Sequence, residues 1–206
     1  MTLEKIFARL FSSLLHPLVI PTLGVFILFS LNTYVNFSIP KSGQRIILLI
    51  VLFNTAIAPL LSVVVLKKLK VIGDIFLQDK GERIAPLFIA GVFYFFTFYV
   101  LRQVQLPFII YYFMISATIL VFAGLLITLH WKISLHMIAM GGFTGFLIST
   151  SIMLKTDITL IIMSAIILSG IMGYSRLVLN AHKPSEVYVG YSLGLLFMLV
   201  LTAVFV

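Results

Sequence analysis

Four polar side chains lie close together between two long apolar runs near the end of the chain. Ser175 and Arg176 are adjacent, His182 follows Arg176 after five residues, and Glu186 follows His182 after three. A guanidinium group and a hydroxyl suit the oxygens of a phosphate. A histidine can act as a nucleophile, and a carboxylate four residues further on can hold its ring N–H and fix its tautomer. Residues 174–190 therefore indicate half of a phosphate-handling site.

Two other polar clusters have matching chemistry. Ser134 and His136 stand at the start of another apolar run. A second histidine can protonate a leaving oxygen while the first attacks phosphorus. The most charged segment, residues 67–83, adds the cations Lys80 and Arg83. No cluster has the spacing of a metal site, and the 6 acidic residues are too few for a two-metal phosphatase. We therefore expect no metal and no cofactor.

The composition indicates what surrounds these side chains. The chain is 62% hydrophobic and only 10% charged, whereas a soluble domain carries roughly 25% charged residues. Lipid is therefore the main solvent, and the bilayer is the expected environment. The net charge of +8 fits Lys and Arg gathered beside anionic headgroups. Nucleic acid is not an expected partner, because no basic stripe with interleaved aromatics lies outside the apolar runs.

Long apolar runs predict an all-α, polytopic membrane helix bundle of about six to seven transmembrane helices, forming one domain over residues 1–206. An amphipathic segment, residues 1–16, predicts a short interfacial helix before them. The predicted spans cover residues 17–31, 46–66, 84–101, 107–129, 133–154, 158–173 and 187–206. Pro59 predicts a kink in the second span. Glycines four residues apart in the fifth and seventh spans predict close helix packing.

Seven spans would place alternate loops on alternate sides of the membrane. The amino terminus and residues 67–83, 130–134 and 175–186 then share one face. Taken singly, Arg176 could be a snorkelling cation at a helix end, and Ser134 could cap a helix. Their convergence on one face favours a functional site, since ionisable groups at the edge of a bilayer are costly.

The cluster at residues 174–190 resembles a motif of the type 2 phosphatidic acid phosphatase superfamily, the membrane lipid phosphatases related to vanadium haloperoxidases. That motif is Ser-Arg, five residues, His, three residues, Asp. Ser175, Arg176 and His182 match it, and Glu186 takes the place of the Asp. The resemblance extends over roughly residues 76–194.

The family's other two motifs match in part. The second is Pro-Ser-Gly-His, of which this chain has Ser134 and His136. The Pro and Gly are replaced by Ile and Leu. The first motif is Lys, six residues, Arg-Pro. Arg83 aligns with its Arg, Phe76 stands at the Lys position, and Lys80 is a candidate substitute for that Lys. Members usually have six spans with the first two motifs in one loop, whereas a predicted hairpin separates them here.

The resemblance implies a metal-independent lipid phosphatase that hydrolyses a phosphomonoester or pyrophosphate of a lipid. It implies that His182 attacks phosphorus to form a phosphohistidine, with support from Glu186, and that His136 protonates the leaving group. The implied phosphate-binding residues are Arg176, Arg83, Ser134, Lys80 and Ser175. The alternatives are a degenerate protein that binds or translocates a lipid phosphate, and group transfer between lipids. A small-molecule transporter is disfavoured because no inverted repeat is evident.

The predicted location is the cell inner (plasma) membrane. Ten of the 14 Lys and Arg residues fall on the motif face, which the positive-inside rule places in the cytoplasm. The family resemblance favours the outer face. The identity of the lipid substrate and the oligomeric state are left open by the sequence.

Overall fold

The computed structural model describes residues 2–74 and 81–205, and within these ranges the chain forms helices and turns without a β-strand. The all-α prediction is confirmed. The helices are α1 (Leu3–Leu14), α2 (Ile20–Ser30), α3 (Tyr34–Ser38), α4 (Lys41–Leu52), α5 (Ala58–Lys68), α6 (Ile84–Arg102), α7 (Phe108–His130), α8 (Leu135–Leu154), α9 (Thr159–Val178) and α10 (Pro184–Phe205). A π-helical turn, Phe53–Ile57, joins α4 to α5, and a 3-10 turn, Gly81–Arg83, precedes α6.

Six helical segments in the described part of the chain are long and apolar enough to cross a membrane. They are the continuous segment from α4 to α5, with 28 residues, and the five helices α6 to α10. These segments support a multi-pass membrane protein. Within the first of the seven predicted spans, residues 17–31, the structure has a shorter apolar helix, α2, of 11 residues. At about 1.5 Å per residue, such a helix covers about half of a ~30 Å hydrocarbon core.

The position of the predicted kink, Pro59, lies two residues after the end of a π-helical turn. Proline has no N–H, and its ring collides with the carbonyl four residues earlier in a regular helix. The turn Phe53–Ile57 lies immediately before α5, in which Pro59 is the second residue. A π-helical turn widens the hydrogen-bond pattern by one residue, which lets the continuous segment accommodate the proline.

Contacts group the residues into two compact units. One unit comprises Met1–Ile20 and Lys132–Val206, and the other comprises Pro21–Trp131. The first contains α1 and the three helices α8 to α10, and the second contains α3 to α7 with nearly all of α2. In the second unit, α6 packs along both α5 and α7. The assignment of the whole chain to a single domain stays a prediction.

In the first unit, α8 and α10 form the tightest helix pair because glycines face each other along it. A Cβ atom added at Gly145 would lie 2.6 Å from Cβ of Met198, and one at Gly190 would lie 2.9 Å from the Ser134 carbonyl oxygen. The prediction of glycine-mediated packing is confirmed. At the end of this helix pair where α8 begins, the N–H of Ser134 donates a hydrogen bond to the carbonyl oxygen of Glu186, at 3.3 Å. This contact holds the beginnings of α8 and α10 together.

The amphipathic helix predicted for the amino terminus is confirmed as α1, which packs on α9. Ala8 and Ser12 are buried on the packed side, and the Tyr174 hydroxyl donates a hydrogen bond to the Glu4 carboxylate. Its exposed large apolar side chains are Leu3, Ile6, Phe7, Leu10 and Leu14. This exposed apolar side suits lipid, and the interfacial position of α1 stays a prediction.

Candidate functional site

The first unit brings most of the predicted polar residues to one end, where α8 begins, α9 ends and α10 begins. Ser134 immediately precedes α8, Arg176 lies in the last turn of α9, and His182 lies in the short link to α10. Each of the three segments therefore contributes one motif residue from a helix boundary. Helix ends expose backbone groups and carry partial charge, so they are suitable places to hold polar side chains at the edge of a bilayer.

His182 and Glu186 form a buried pair. The Nδ1 atom of His182 lies 2.7 Å from Oε2 of Glu186, and both residues are buried. A carboxylate only accepts hydrogen bonds, so Nδ1 carries the proton and donates it to Glu186. The ring orientation that the sequence predicted is therefore present, and Nε2 is the ring nitrogen that does not face the carboxylate.

The Glu186 carboxylate also caps the amino-terminal end of α10. Its Oε2 accepts a hydrogen bond from the N–H of Lys183 at 3.2 Å. Lys183 immediately precedes Pro184, the first residue of α10, and Glu186 is the third residue. A glutamate at this position reaches back to the capping residue's N–H, and proline suits the first helical position. The Glu186 carboxylate therefore binds two partners at once, the His182 ring and the Lys183 N–H.

The two serines of the predicted site use their hydroxyls differently. Ser175 donates its hydroxyl proton to the Ile171 carbonyl, at 2.8 Å within α9, so this proton is not available to a phosphate oxygen. Ser134 occupies the N-cap position of α8 without making a side-chain capping bond. Its Oγ is buried and has no hydrogen-bond partner among residues 2–74 and 81–205. Within the described residues, the Ser134 hydroxyl therefore makes neither a capping bond nor another hydrogen bond.

His136 is held by the amino-terminal segment. Its Nε2 lies 3.3 Å from the carbonyl oxygen of Ser12. The ring of His16 meets it edge-on, with centroids 5.3 Å apart and planes at 79°. The guanidinium of Arg176 is near enough to interact electrostatically with both rings, and His182 with that of His136. The two predicted histidines and Arg176 thus share one neighbourhood, together with His16.

The pKa of His16 is lowered from its ordinary value, first by burial and then by the positive charge of Arg176. Because the folded pKa lies below the unfolded one, of about 6.5, this histidine contributes full stability above that pH. The contribution is lost as the pH falls from the unfolded pKa towards the folded pKa. We expect the thermal unfolding midpoint to decrease between about pH 7.5 and pH 5, and His16→Gln to make this decrease smaller.

The groups facing His16 are Arg176 and His136, so the comparison must isolate position 16. The control is His130→Gln, an exposed histidine at the end of α7. It should keep the pH dependence of the native protein. Equal slopes for His16→Gln and the native protein would contradict the assignment.

Two predicted phosphate ligands, Arg83 and Lys80, are not among the residues of the first unit. Arg83 is buried and ends the 3-10 turn before α6, in the second unit. Lys80 and Phe76 both lie outside the described residues. The first unit brings together Ser134, His136, Ser175, Arg176, His182 and Glu186. The sequence interpretation did not assign a role to Ser12 or His16. The available signal was a spacing of four residues, with Ala8 and Ser12 following Glu4 on α1 and His16 lying just beyond the end of that helix.

Comparisons of this chain with protein-family models, with curated proteins and with solved structures give no match.

Proposed function

We propose that this chain is an integral-membrane lipid phosphatase similar to the type 2 phosphatidic acid phosphatases, located in the plasma (inner) membrane. It hydrolyses a phosphomonoester or pyrophosphate of a lipid without a metal. The observation that carries the proposal is the buried bond between Nδ1 of His182 and Glu186, 2.7 Å long. This bond orients a histidine at the end of the unit that also holds Ser134, His136 and Arg176.

In the first step, Nε2 of His182 attacks the phosphorus atom of the lipid phosphate. The bond between phosphorus and the lipid oxygen breaks, and its electron pair stays on that oxygen, which takes a proton from His136. The Glu186 carboxylate stabilises the positive charge that develops on the His182 ring. The products of this step are a free lipid alcohol and a phosphohistidine.

In the second step, a water molecule attacks the phosphorus of the phosphohistidine and gives a proton to His136. The bond between nitrogen and phosphorus breaks, its electron pair returns to Nε2 of His182, and phosphate leaves. His136 thus regains the proton that it lost, so one water is consumed for each phosphate released. Arg176 and Ser134 bind the phosphoryl oxygens as charge shifts onto them.

The Ser134 hydroxyl provides independent support. A buried polar group without a hydrogen-bond partner costs about 1–3 kcal/mol. Ser134 Oγ is in this position among the described residues, although the residue stands where a serine would ordinarily cap its helix. A bound phosphoryl oxygen would supply the missing partner.

We expect Ser134→Ala and Ser175→Ala to have opposite effects. Ser134→Ala should weaken vanadate and lipid-phosphate binding about 10-fold or more, because a hydrogen bond to a charged ligand is lost. It should leave the unfolding midpoint unchanged or higher. Ser175→Ala removes the bond to Ile171 and should cost about 0.5–1.5 kcal/mol of stability without weakening vanadate binding. Both variants are measured against the native protein.

The experiment uses purified protein in detergent micelles with phosphatidate and a metal chelator. Phosphate release that vanadate inhibits supports the proposal. Tight binding of the lipid phosphate without turnover would contradict hydrolysis and favour the binding or translocating alternative. A new lipid ester in place of free phosphate would indicate group transfer.

A further inference from the structure

We infer that the amino-terminal segment positions His136 for proton transfer. The main-chain carbonyl of Ser12 in helix α1 and the ring of His16, which follows the helix, both contact His136. The role of His136 in proton transfer rests on the proposed function. The position and tautomer of His136 can be measured without turnover. The contact between Nε2 of His136 and the Ser12 carbonyl oxygen, at 3.3 Å, carries the inference.

The contact fixes the tautomer of His136. A carbonyl oxygen accepts hydrogen bonds and cannot donate them, so Nε2 must carry the proton. When the ring is neutral, Nδ1 is then the nitrogen without a proton, and it is the atom that takes a proton from water. When the ring is protonated, Nδ1–H gives its proton to the lipid oxygen while Nε2–H stays bonded to Ser12. His136 and His182 are therefore held in opposite tautomers.

His16 contributes to the same positioning. Its ring lies edge-on to the ring of His136, at 5.3 Å between centroids, an arrangement that aromatic rings favour. The charge of Arg176 acts on both rings. His16 therefore limits rotation of the His136 ring away from Ser12. We describe His16 as a positioning residue, because it acts on the reaction through His136.

The position of the Ser12 carbonyl depends in turn on how α1 lies on α9. The packed side of α1 repeats every four residues, from Glu4 through Ala8 to Ser12. The Tyr174 hydroxyl holds Glu4, and Ala8 is fully buried. A larger side chain at position 8 must push α1 outward and carry the Ser12 carbonyl away from His136. The inference therefore predicts that displacing α1 releases the tautomer of His136.

The experiment is NMR of the full chain with ¹³C,¹⁵N-histidine in detergent micelles at about pH 8, above the ordinary histidine pKa of about 6.5. The His136 signals are assigned by their loss in His136→Gln. We expect the Nε2–H tautomer for His136 in the native protein, and a mixture with the Nδ1–H tautomer in Ala8→Leu. His16→Ala, which leaves Ala8 in place, should also give a mixture.

The matched control is Ser13→Leu, which places the same side chain at an exposed position of α1 and should leave the His136 tautomer unchanged. The Nδ1–H tautomer of His182, held by Glu186, shows in each variant that the rest of the unit is folded. An Nδ1–H tautomer for His136 in the native protein would overturn the inference. So would identical His136 spectra for native protein, Ala8→Leu and His16→Ala.

Turnover separates this inference from the proposed function. If the native protein releases phosphate, Ala8→Leu should lower kcat about 100-fold, the scale of a general acid–base contribution, with vanadate affinity unchanged. Turnover with the wrong His136 tautomer would refute the role of α1 and leave the phosphatase proposal standing. The expected tautomers without any turnover would refute the phosphatase proposal and leave the positioning of His136 by α1 standing.

Discussion

His182→Ala should lower phosphate release by at least about 1,000-fold, because it removes the nitrogen that attacks phosphorus. The expected loss is in kcat, since Arg176 and Ser134 remain to bind the phosphoryl group. The measurement is phosphate release from phosphatidate in micelles, with vanadate binding as a separate report on the pocket. Vanadate binding should weaken only to the extent that Nε2 of His182 bonds to it.

The matched control is His130→Ala, the same change at an exposed histidine of the second unit, which should keep native activity. A second measurement distinguishes catalysis from folding. Acid-labile phosphate should be trapped on the native protein from labelled lipid phosphate and should be absent from His182→Ala. Equal phosphate release by His182→Ala and the native protein would exclude this residue as the nucleophile.

Most of the transmembrane helices could be predicted from apolar runs, because hydrocarbon requires each segment to satisfy its own backbone hydrogen bonds. The runs at residues 84–101 and 107–129 predicted α6 and α7 to within one or two residues. The first run contains a shorter helix than predicted, because hydropathy measures how apolar a segment is and does not determine where its helix ends. The helix α2 ends at Ser30, and the short helix α3 follows, so the run at residues 17–31 is not one full-length helix.

The His182–Glu186 pair could also be predicted from the sequence. His182 and Glu186 are four residues apart across a helix start, so the spacing alone brings the carboxylate to the ring, and the structure has them bonded at 2.7 Å. The contact of His136 with Ser12 joins positions 124 residues apart in sequence, through a backbone carbonyl that every residue type has. No side-chain pattern identifies such a partner.

The role of Ser134, as a helix cap or as a ligand-binding residue, could not be decided from the sequence. From the sequence, a serine directly before an apolar run is an ordinary helix cap. The structure places Ser134 at that cap position and directs its hydroxyl to no capping bond. The residue type and position fitted both interpretations, and only the side-chain geometry favours the ligand. The roles of the eight predicted site residues stay predictions until the variants are measured.

Gly141→Ala should destabilise the fold by about 1–3 kcal/mol, the usual cost of overpacking a close contact. An added Cβ would overlap the backbone carbonyl of Tyr191 on α10, and neither helix backbone can move aside as a flexible side chain could. The control is Gly170→Ala on α9, where an added Cβ meets nothing within 4 Å. That change should be neutral or stabilise by up to about 1 kcal/mol, since glycine is unfavourable within a helix. Free energies from detergent unfolding titrations provide the measurement.

The same substitution tests whether helix packing positions the site. The contact of α8 with α10 places the Ser134 N–H on the Glu186 carbonyl, at 3.3 Å, at the end where His182 lies. Spreading the pair should therefore lower phosphate release in Gly141→Ala protein that is still folded, and leave Gly170→Ala fully active. A folded Gly141→Ala protein with native stability and activity would show that α8 and α10 do not need this close approach. Reduced stability with native activity would show that the site tolerates movement of these two helices.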